Sequence, residues 1–515
     1  MTRRSYAAAV LTAVFVGVGA VGANAAPPTD TSALREAVTV DAVRAHQAEF
    51  QSFADLSDGT REASTLGYQL SADYVAGLME AAGYEVTRQP FEYNYFEELA
   101  PAVVTGPPGF PFTYTDGVNI STMDYSGSGT VTGVVQGVND NLVPLPVGQP
   151  DSTSHAGCED EDFADFTGDI ALIQRGTCFF SEKIANAVEA GAEAVIIFNE
   201  GNSEERSGPE FGSASVPQDV PVIEMSAEAG AALVEFIEAE AAAGRTVTLT
   251  ITTSTVSEIR ESENVIAETT TGRTDRVVVS GAHLDSVIEG PGINDNGSGS
   301  AAQLEVALQM AELEIEPVNQ VRFIWFGAEE AGLVGSAYYI SQLTKRELKD
   351  IAVMLNFDMI GSPNPGWFVY DGDASDTAST GSTGSGVVED VFADFFASIG
   401  REIEPTAFDG RSDYDAFVAA GIPAGGLFTG AEDIMTAEQA AKWDGEAGVA
   451  FDVCYHAACD TYDNVDLIAL DEMTDAMAHA ILTFAMSTSA VQGTDKGSDK
   501  ATKYDPAFRG SNAVK

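Results

Sequence analysis

Six metal-capable side chains stand beside apolar runs in this chain. VVVSGAHLDS carries His283, GINDNGSGS carries Asp295, and FIWFGAEEAGLVGS carries Glu329 and Glu330. VMLNFDMIGS carries Asp358, and CYHAACDT carries His456 far downstream. The set provides two imidazoles, three carboxylates placed to coordinate and one spare carboxylate beside them. Mixed nitrogen and oxygen ligation suits zinc, and an aspartate that bridges would make the site dinuclear. Two metals sharing one water are equipment for hydrolysis.

Such residues need rigid elements to bring them together. RVVVSGA, VRFIWFG and IAVMLNF are nearly continuous apolar runs, as expected of strands buried on both faces of a sheet. Each leads into polar chemistry: His283, then Glu329 and Glu330, then Asp358. Ligands of open α/β sheets bind beyond the carboxyl ends of the strands, so residues distant in sequence converge on one rim. SAAQLEVALQMAEL, after Asp295, predicts a helix with Leu304, Leu308 and Ala311 on one face. Upstream, TLGYQLSADYVAGLMEAAGYEV predicts a helix with Leu70, Tyr74, Leu78 and Ala81 on one face, stopped at Gly83. Residues 86–96 alternate like a strand, and PAVVTGPPGFPFTY reads as a connection.

Between about residues 118 and 255 the texture changes. TVTGVVQGV, DIALIQR, EAVIIFN and VPVIEMS are short strand-like runs separated by turns. One helix, FFSEKIANAVEAGA, would present Phe180, Ile184, Ala187 and Val188 together. This block has no cluster of ligands and reads as a smaller, β-rich, non-catalytic module.

A chain of 515 residues is long enough for two domains. Its start pairs Arg3 and Arg4 with an apolar run and Ala23-Asn24-Ala25, an export signal cut near Ala25. The arginine pair leaves the twin-arginine route open. No other segment reads as membrane-spanning. A net charge of -54 argues against a nucleic-acid partner and fits solubility outside the cell. The same field could attract cationic peptides or extra Ca²⁺. Four cysteines in an exported chain suggest disulfides, with three pairings open. Cys158–Cys178 with Cys454–Cys459 would keep each bridge inside one module. After about residue 488 large apolar residues are scarce, which predicts a flexible tail.

GAHLDSV, GPGINDNGSGSAA, FGAEEAGLVGS, NFDMIGS and CYHAACDTYDN together resemble the M28 family of zinc aminopeptidases in its secreted bacterial form. The middle block, with CEDEDF and GDIALIQRGTCFFSEKIANAVEAGAEAVIIFN, resembles a protease-associated (PA) domain inserted into that enzyme. The likeness spans about residues 35–487. With the signal and the tail read from composition, the chain divides into a signal (1–25), a catalytic domain (35–95 plus 257–487), a PA domain (118–255) and a tail (488–515). The likeness implies an α/β fold with a mixed, mostly parallel sheet flanked by helices.

Carried over residue by residue, the resemblance makes Asp295 the bridge between two Zn²⁺. His283 and Asp358 would hold one ion, and Glu330 and His456 the other. Glu329 would be the general base, and Asp285 would fix the tautomer of His283. Tyr455 would stabilise the oxyanion, and Arg411 would face the substrate, with Asp413 a weaker candidate in the same run. The Asp295–Asn296 peptide would be cis. The implied function is an exported, monomeric dizinc aminopeptidase acting on peptides with a free N-terminus, with neither nucleic acid nor membrane as partner. The PA domain would act as a lid or access control. The rivals are a carboxypeptidase or glutamyl-directed peptidase of the same family, a one-zinc glutaminyl cyclase, and a non-catalytic binding protein on this scaffold. The complete two-metal set argues against the last two.

Overall fold

The computed structural model describes residues 29–149, 153–209, 212–378 and 381–491. The expected signal at 1–25 and the tail beyond 491 lie outside these residues. Ordered packing runs slightly past the expected tail boundary, because Thr488 and Val491 are buried.

The three apolar runs form neighbouring parallel strands, Arg273–His283, Asn319–Phe326 and Ile351–Phe357, with Arg273–His283 in the middle. Ala424–Phe428 adds a fourth parallel strand beside Ile351–Phe357. Every residue of Ile351–Phe357 is buried, as a strand covered on both faces requires. One face packs against the helices Val40–Asp55, Leu66–Ala81, Gly297–Glu312 and Leu467–Met486 in a single large core. The other packs against Tyr339, Ile340, Tyr414 and Phe417.

The second module has the strands Gly129–Gly137, Ile170–Gln174, Ala194–Phe198 and Val222–Met225, paired in parallel, with Ile120–Thr122 antiparallel at the edge. Its two apolar cores lie on opposite faces of this sheet. It is an insertion: Leu34, Val43, Phe50 and Tyr68 precede it, yet share a core with the helices that follow it.

Two long strands join the modules. Glu85–Thr105 and Thr248–Glu268 pair antiparallel along their length, from Glu85 opposite Glu268 to Thr105 opposite Thr250. The expected borders near 95 and 257 therefore run through paired strands. Residues 101–105, read as part of a connection from the proline and glycine of the run they open, are strand, with Ala102 and Val104 buried. Pro90 and Pro101 are tolerated because, among the described residues, this strand is paired on one side only, by Thr248–Glu268.

Two helix faces also differ from expectation. In Leu66–Ala81 the buried stripe is Tyr68, Ala72, Val75 and Met79, one position round from the predicted one. That helix packs against helices and strands on more than one side, so periodicity alone did not fix its inner face. In Phe180–Glu189, Val188 is exposed and Lys183 is buried instead, its Nζ donating to the Ala156 carbonyl.

Candidate metal centre

His283 is the last residue of its strand, and Asp358 immediately follows Phe357, the last of another. Glu329 and Glu330 follow the strand that ends at Phe326. These carboxyl ends share one rim because the strands are parallel neighbours. Asp295 comes from the turn before helix Gly297–Glu312, whose N-cap Asn296 accepts the Gly299 N–H. The Asp295–Asn296 peptide is cis, as the resemblance implied. His456 comes from the loop closed by the Cys454–Cys459 disulfide, and Cys158–Cys178 forms the second bridge.

Asp295 presents one carboxylate oxygen to each histidine. His283 Nε2 lies 3.2 Å from Oδ1, and His456 Nε2 lies 3.4 Å from Oδ2. Each imidazole meets a second carboxylate: Asp358 Oδ1 lies 3.3 Å from His283 Nε2, and Glu330 Oε2 lies 3.0 Å from His456 Nε2. In each triad the donor atoms fall within 4.8 Å of one another. The residues fit a pair of cations. Each site has one nitrogen and two carboxylates, Asp295 is common to both, and buried Glu330 Oε1 has no hydrogen-bond partner. Nitrogen with carboxylate oxygen is a zinc donor set.

The electrostatics concentrate negative charge. Burial pushes the Glu330 carboxyl up to about 7, and burial holds that of Glu329 well above the usual range, with Asp358 and Glu330 adding to the effect. Burial pulls the histidines down, but the carboxylates outweigh it. Asp358 and Glu329 hold His283 well above its usual value, and Glu330 with Asp295 takes His456 to about 11. Glu329 lines the same small cavity of about 110 Å³ as all five donor residues.

Asp285 is buried and bonded to the carboxylate loop. Its Oδ1 accepts the Glu329 N–H at 3.2 Å, and its Oδ2 the Glu330 N–H at 3.3 Å. Its approach to His283 Nδ1, 3.6 Å, is longer than a hydrogen bond. Tyr455 stacks on the His456 ring, with centroids 3.8 Å apart. Arg411 Nη2 donates to the Tyr455 hydroxyl at 3.1 Å, and its Nη1 pairs with Glu432 at 3.0 Å. Asp413 is buried nearby, and burial pushes it up to about 7. Three non-glycine residues at or beside the donors take the left-handed backbone: Ala328, Met359 and His456. Such conformations cost about 1–3 kcal/mol each and persist where the surroundings over-determine them.

Several supporting residues were given no role in the reading of the sequence. Asp460 accepts the backbone N–H groups of Asn294 and Asp295, at 2.8 and 3.0 Å. Ser412 donates to Asp358 Oδ2 at 2.6 Å. Arg61, fully buried, donates to the carbonyls of Leu284, Pro291 and Gly292, gathering the two loops that bear His283 and Asp295. The serine and the aspartate sit inside motifs and could have been suspected; Arg61 could not. A third carboxylate cluster, Asp371, Asp373 and Glu389, lies outside this centre. Its Asp371 oxygens already accept the N–H groups of Ser375, Asp376 and Thr377, so it gives the Ca²⁺ expectation no specific support.

Residues 264–481 match Peptidase family M28, and residues 138–233 match the PA domain. An aminopeptidase of Pseudomonas aeruginosa is 45% identical over 446 residues, covering 86% of this chain and 80% of its own. The probable lipoprotein aminopeptidase LpqL of Mycobacterium tuberculosis is 39% identical over 473 residues, covering 91% of this chain and 89% of its own. Among solved structures, the aminopeptidase from Aneurinibacillus sp. strain AM-1 is 25% identical with a TM-score of 0.61, covering 88% of this chain and 95% of the other. The chain belongs to peptidase family M28, in the form whose catalytic domain carries an inserted PA domain.

Proposed function

We propose that this protein is an exported dizinc aminopeptidase that removes N-terminal residues from peptides, with Glu329 as general base. Its family and its aminopeptidase relatives make it a metallo-aminopeptidase. The carboxypeptidase, cyclase and binding-protein readings have no comparable support. The two disulfides and the lipoprotein relative support a place in the envelope or outside the cell. The domain division is 35–95 plus 257–487 for catalysis and 118–255 for the PA domain, the two meeting along the paired strands Glu85–Thr105 and Thr248–Glu268, and the protein acts as a monomer.

The observation that carries the two-metal reading is Asp295, whose two oxygens face two different histidines, each with its own further carboxylate. Two zinc ions held by His283 with Asp358 and by Glu330 with His456, bridged by Asp295, would supply Lewis-acid polarisation of the scissile carbonyl and acidify the attacking water. Glu329 takes the water's proton and delivers it to the leaving amine. The Tyr455 hydroxyl, oriented by Arg411, donates to the oxyanion. Asp285 holds Glu329 and Glu330 in their distinct orientations through their backbone. The cavity wall beyond the donors includes Met359, Tyr370 and Phe428, an apolar strip beside the acids Asp409, Glu432 and Asp433 that suits an apolar N-terminal side chain. Relatives named leucine aminopeptidase 2 fit that preference.

The test is elemental analysis of the mature protein alongside turnover of aminoacyl anilides. Two zinc ions per chain and loss of turnover on chelation are expected. Full activity with one ion per chain would sink the dinuclear reading.

A further inference from the structure

A second, larger cavity of about 270 Å³ adjoins the metal centre, and Asp285 and Glu330 line it. Glu330 also lines the smaller cavity of the centre, so the two spaces border the same residue. The far wall comes from the PA module, through Asp124, Tyr125 and Ser213. Between the walls runs a segment of the long strand Glu85–Thr105: Asn94, Tyr95 and Phe96.

Successive side chains of a strand point to opposite faces. Tyr95 is buried in one cluster with Phe91, Tyr93 and Ala328. Asn94 and Phe96 project the other way. The Asn94 amide donates to the Ser215 carbonyl, and Phe96 packs on Tyr125. A cavity lined by all three consecutive residues therefore lies along the edge of the strand. The opposite edge is taken, because Asn94, Tyr95 and Phe96 stand across from Ile259, Glu258 and Ser257. Among the described residues no strand pairs with this one on the cavity side. An unpaired edge offers a row of backbone N–H and C=O groups, and extended peptides add to such edges as an extra strand.

We infer that the substrate residues beyond the cleaved bond lie along the edge at Asn94–Phe96, held by main-chain hydrogen bonds between the catalytic loops and the PA module. The inference rests on the aminopeptidase reading, which places the N-terminal residue in the smaller cavity and requires the rest of the peptide to leave past the donors. Three residues of strand edge span about 10 Å and accommodate about three residues of extended substrate. Recognition through the backbone does not depend on which side chains follow the cleaved bond. It gives the PA module a definite role, as the outer wall of the groove for the extended chain.

The experiment compares three kinds of substrate with the zinc-loaded full chain. They are leucyl p-nitroanilide, a pentapeptide beginning with leucine, and the same pentapeptide N-methylated at its third, fourth or fifth residue in turn. Methylation at one or more of these positions should lower kcat/KM by about 3–10-fold, the range for losing one hydrogen bond. Ile288→Trp, which narrows the cavity from the catalytic side, should lower the ratio of pentapeptide to anilide kcat/KM at least tenfold. Glu289→Trp, at an exposed position on the same wall, gives the same readout should the first variant fail to fold. Equal cleavage of all methylated peptides, with an unchanged ratio in a folded variant, overturns the placement and leaves the aminopeptidase reading intact. Turnover of neither anilide nor pentapeptide by the zinc-loaded wild type overturns both.

Discussion

The Asp285 carboxylate accepts the backbone N–H of Glu330 at 3.3 Å, and so ties the strand end bearing His283 to the loop bearing a donor of the opposite triad. Its other oxygen takes the N–H of Glu329 at 3.2 Å. One buried side chain thus sets the backbone orientation of two neighbouring glutamates, for which we propose different roles. Changing Asp285→Ala removes both acceptors and leaves two buried N–H groups without these partners. Zinc affinity should fall about 10–100-fold, the usual loss for an outer-shell partner. Competition with a chelating dye measures it. Unchanged zinc affinity and turnover would reduce Asp285 to an ordinary loop acid.

Glu329 and Glu330 should separate cleanly. Glu329→Gln keeps size and hydrogen bonding but cannot take a proton. Metal content should persist, KM should move little, and kcat should drop by about 10²–10⁴-fold, the contribution of a general base. Glu330→Gln should weaken zinc binding, with added zinc restoring part of the activity. Elemental analysis beside steady-state kinetics decides between them. Loss of metal in the Glu329 variant and retention in the Glu330 variant would mean the roles are exchanged.

The Cys454–Cys459 bridge closes a loop with a sequence separation of only 5, and that loop carries Tyr455 and His456. Chain entropy for so short a loop gives about 2 kcal/mol. Replacing both cysteines by serine should therefore leave a folded protein, slightly less stable by denaturant titration. The loss should fall on the triad of Asp295, Glu330 and His456. One zinc should become easily removed while the other is retained. Simultaneous loss of both ions would show that the loop supports the whole rim.

Arg61→Met tests the contact that draws the two donor loops together. It leaves the Leu284, Pro291 and Gly292 carbonyls without their donor in a buried site. Leaving a buried carbonyl without its donor costs about 1–3 kcal/mol. A fall of that size in unfolding free energy is expected, together with weaker zinc binding. A change below about 0.5 kcal/mol, typical of surface substitutions, would deny Arg61 this role.

The candidate donors that the structure brings together were legible because each follows an apolar run or sits inside a compact motif. An uninterrupted run such as IAVMLNF implies a doubly covered strand, and Asp358 directly after it must then lie at a sheet rim. That inference needs only local sequence and the rule that parallel strands expose their carboxyl ends together. The two disulfides were legible once the chain was divided into modules, since only one of the three open pairings keeps each bridge inside one. The sequence did not decide which partners a segment meets from far away. Residues 101–105 became strand because residues 250–252 and their neighbours pair with them, although proline and glycine suggested a connection. The inner face of Leu66–Ala81 was set by packing on several sides, which a single amphipathic stripe does not encode. Arg61 lies in a loop without periodicity, and its role exists only where three carbonyls from residues 284 to 292 converge on it. The free strand edge at Asn94–Phe96 is likewise a tertiary property: it depends on the PA module standing across from the catalytic loops and leaving a gap between them. Chemistry written into local motifs could be read in advance, whereas pairing, register and the space between modules arose only when distant segments met.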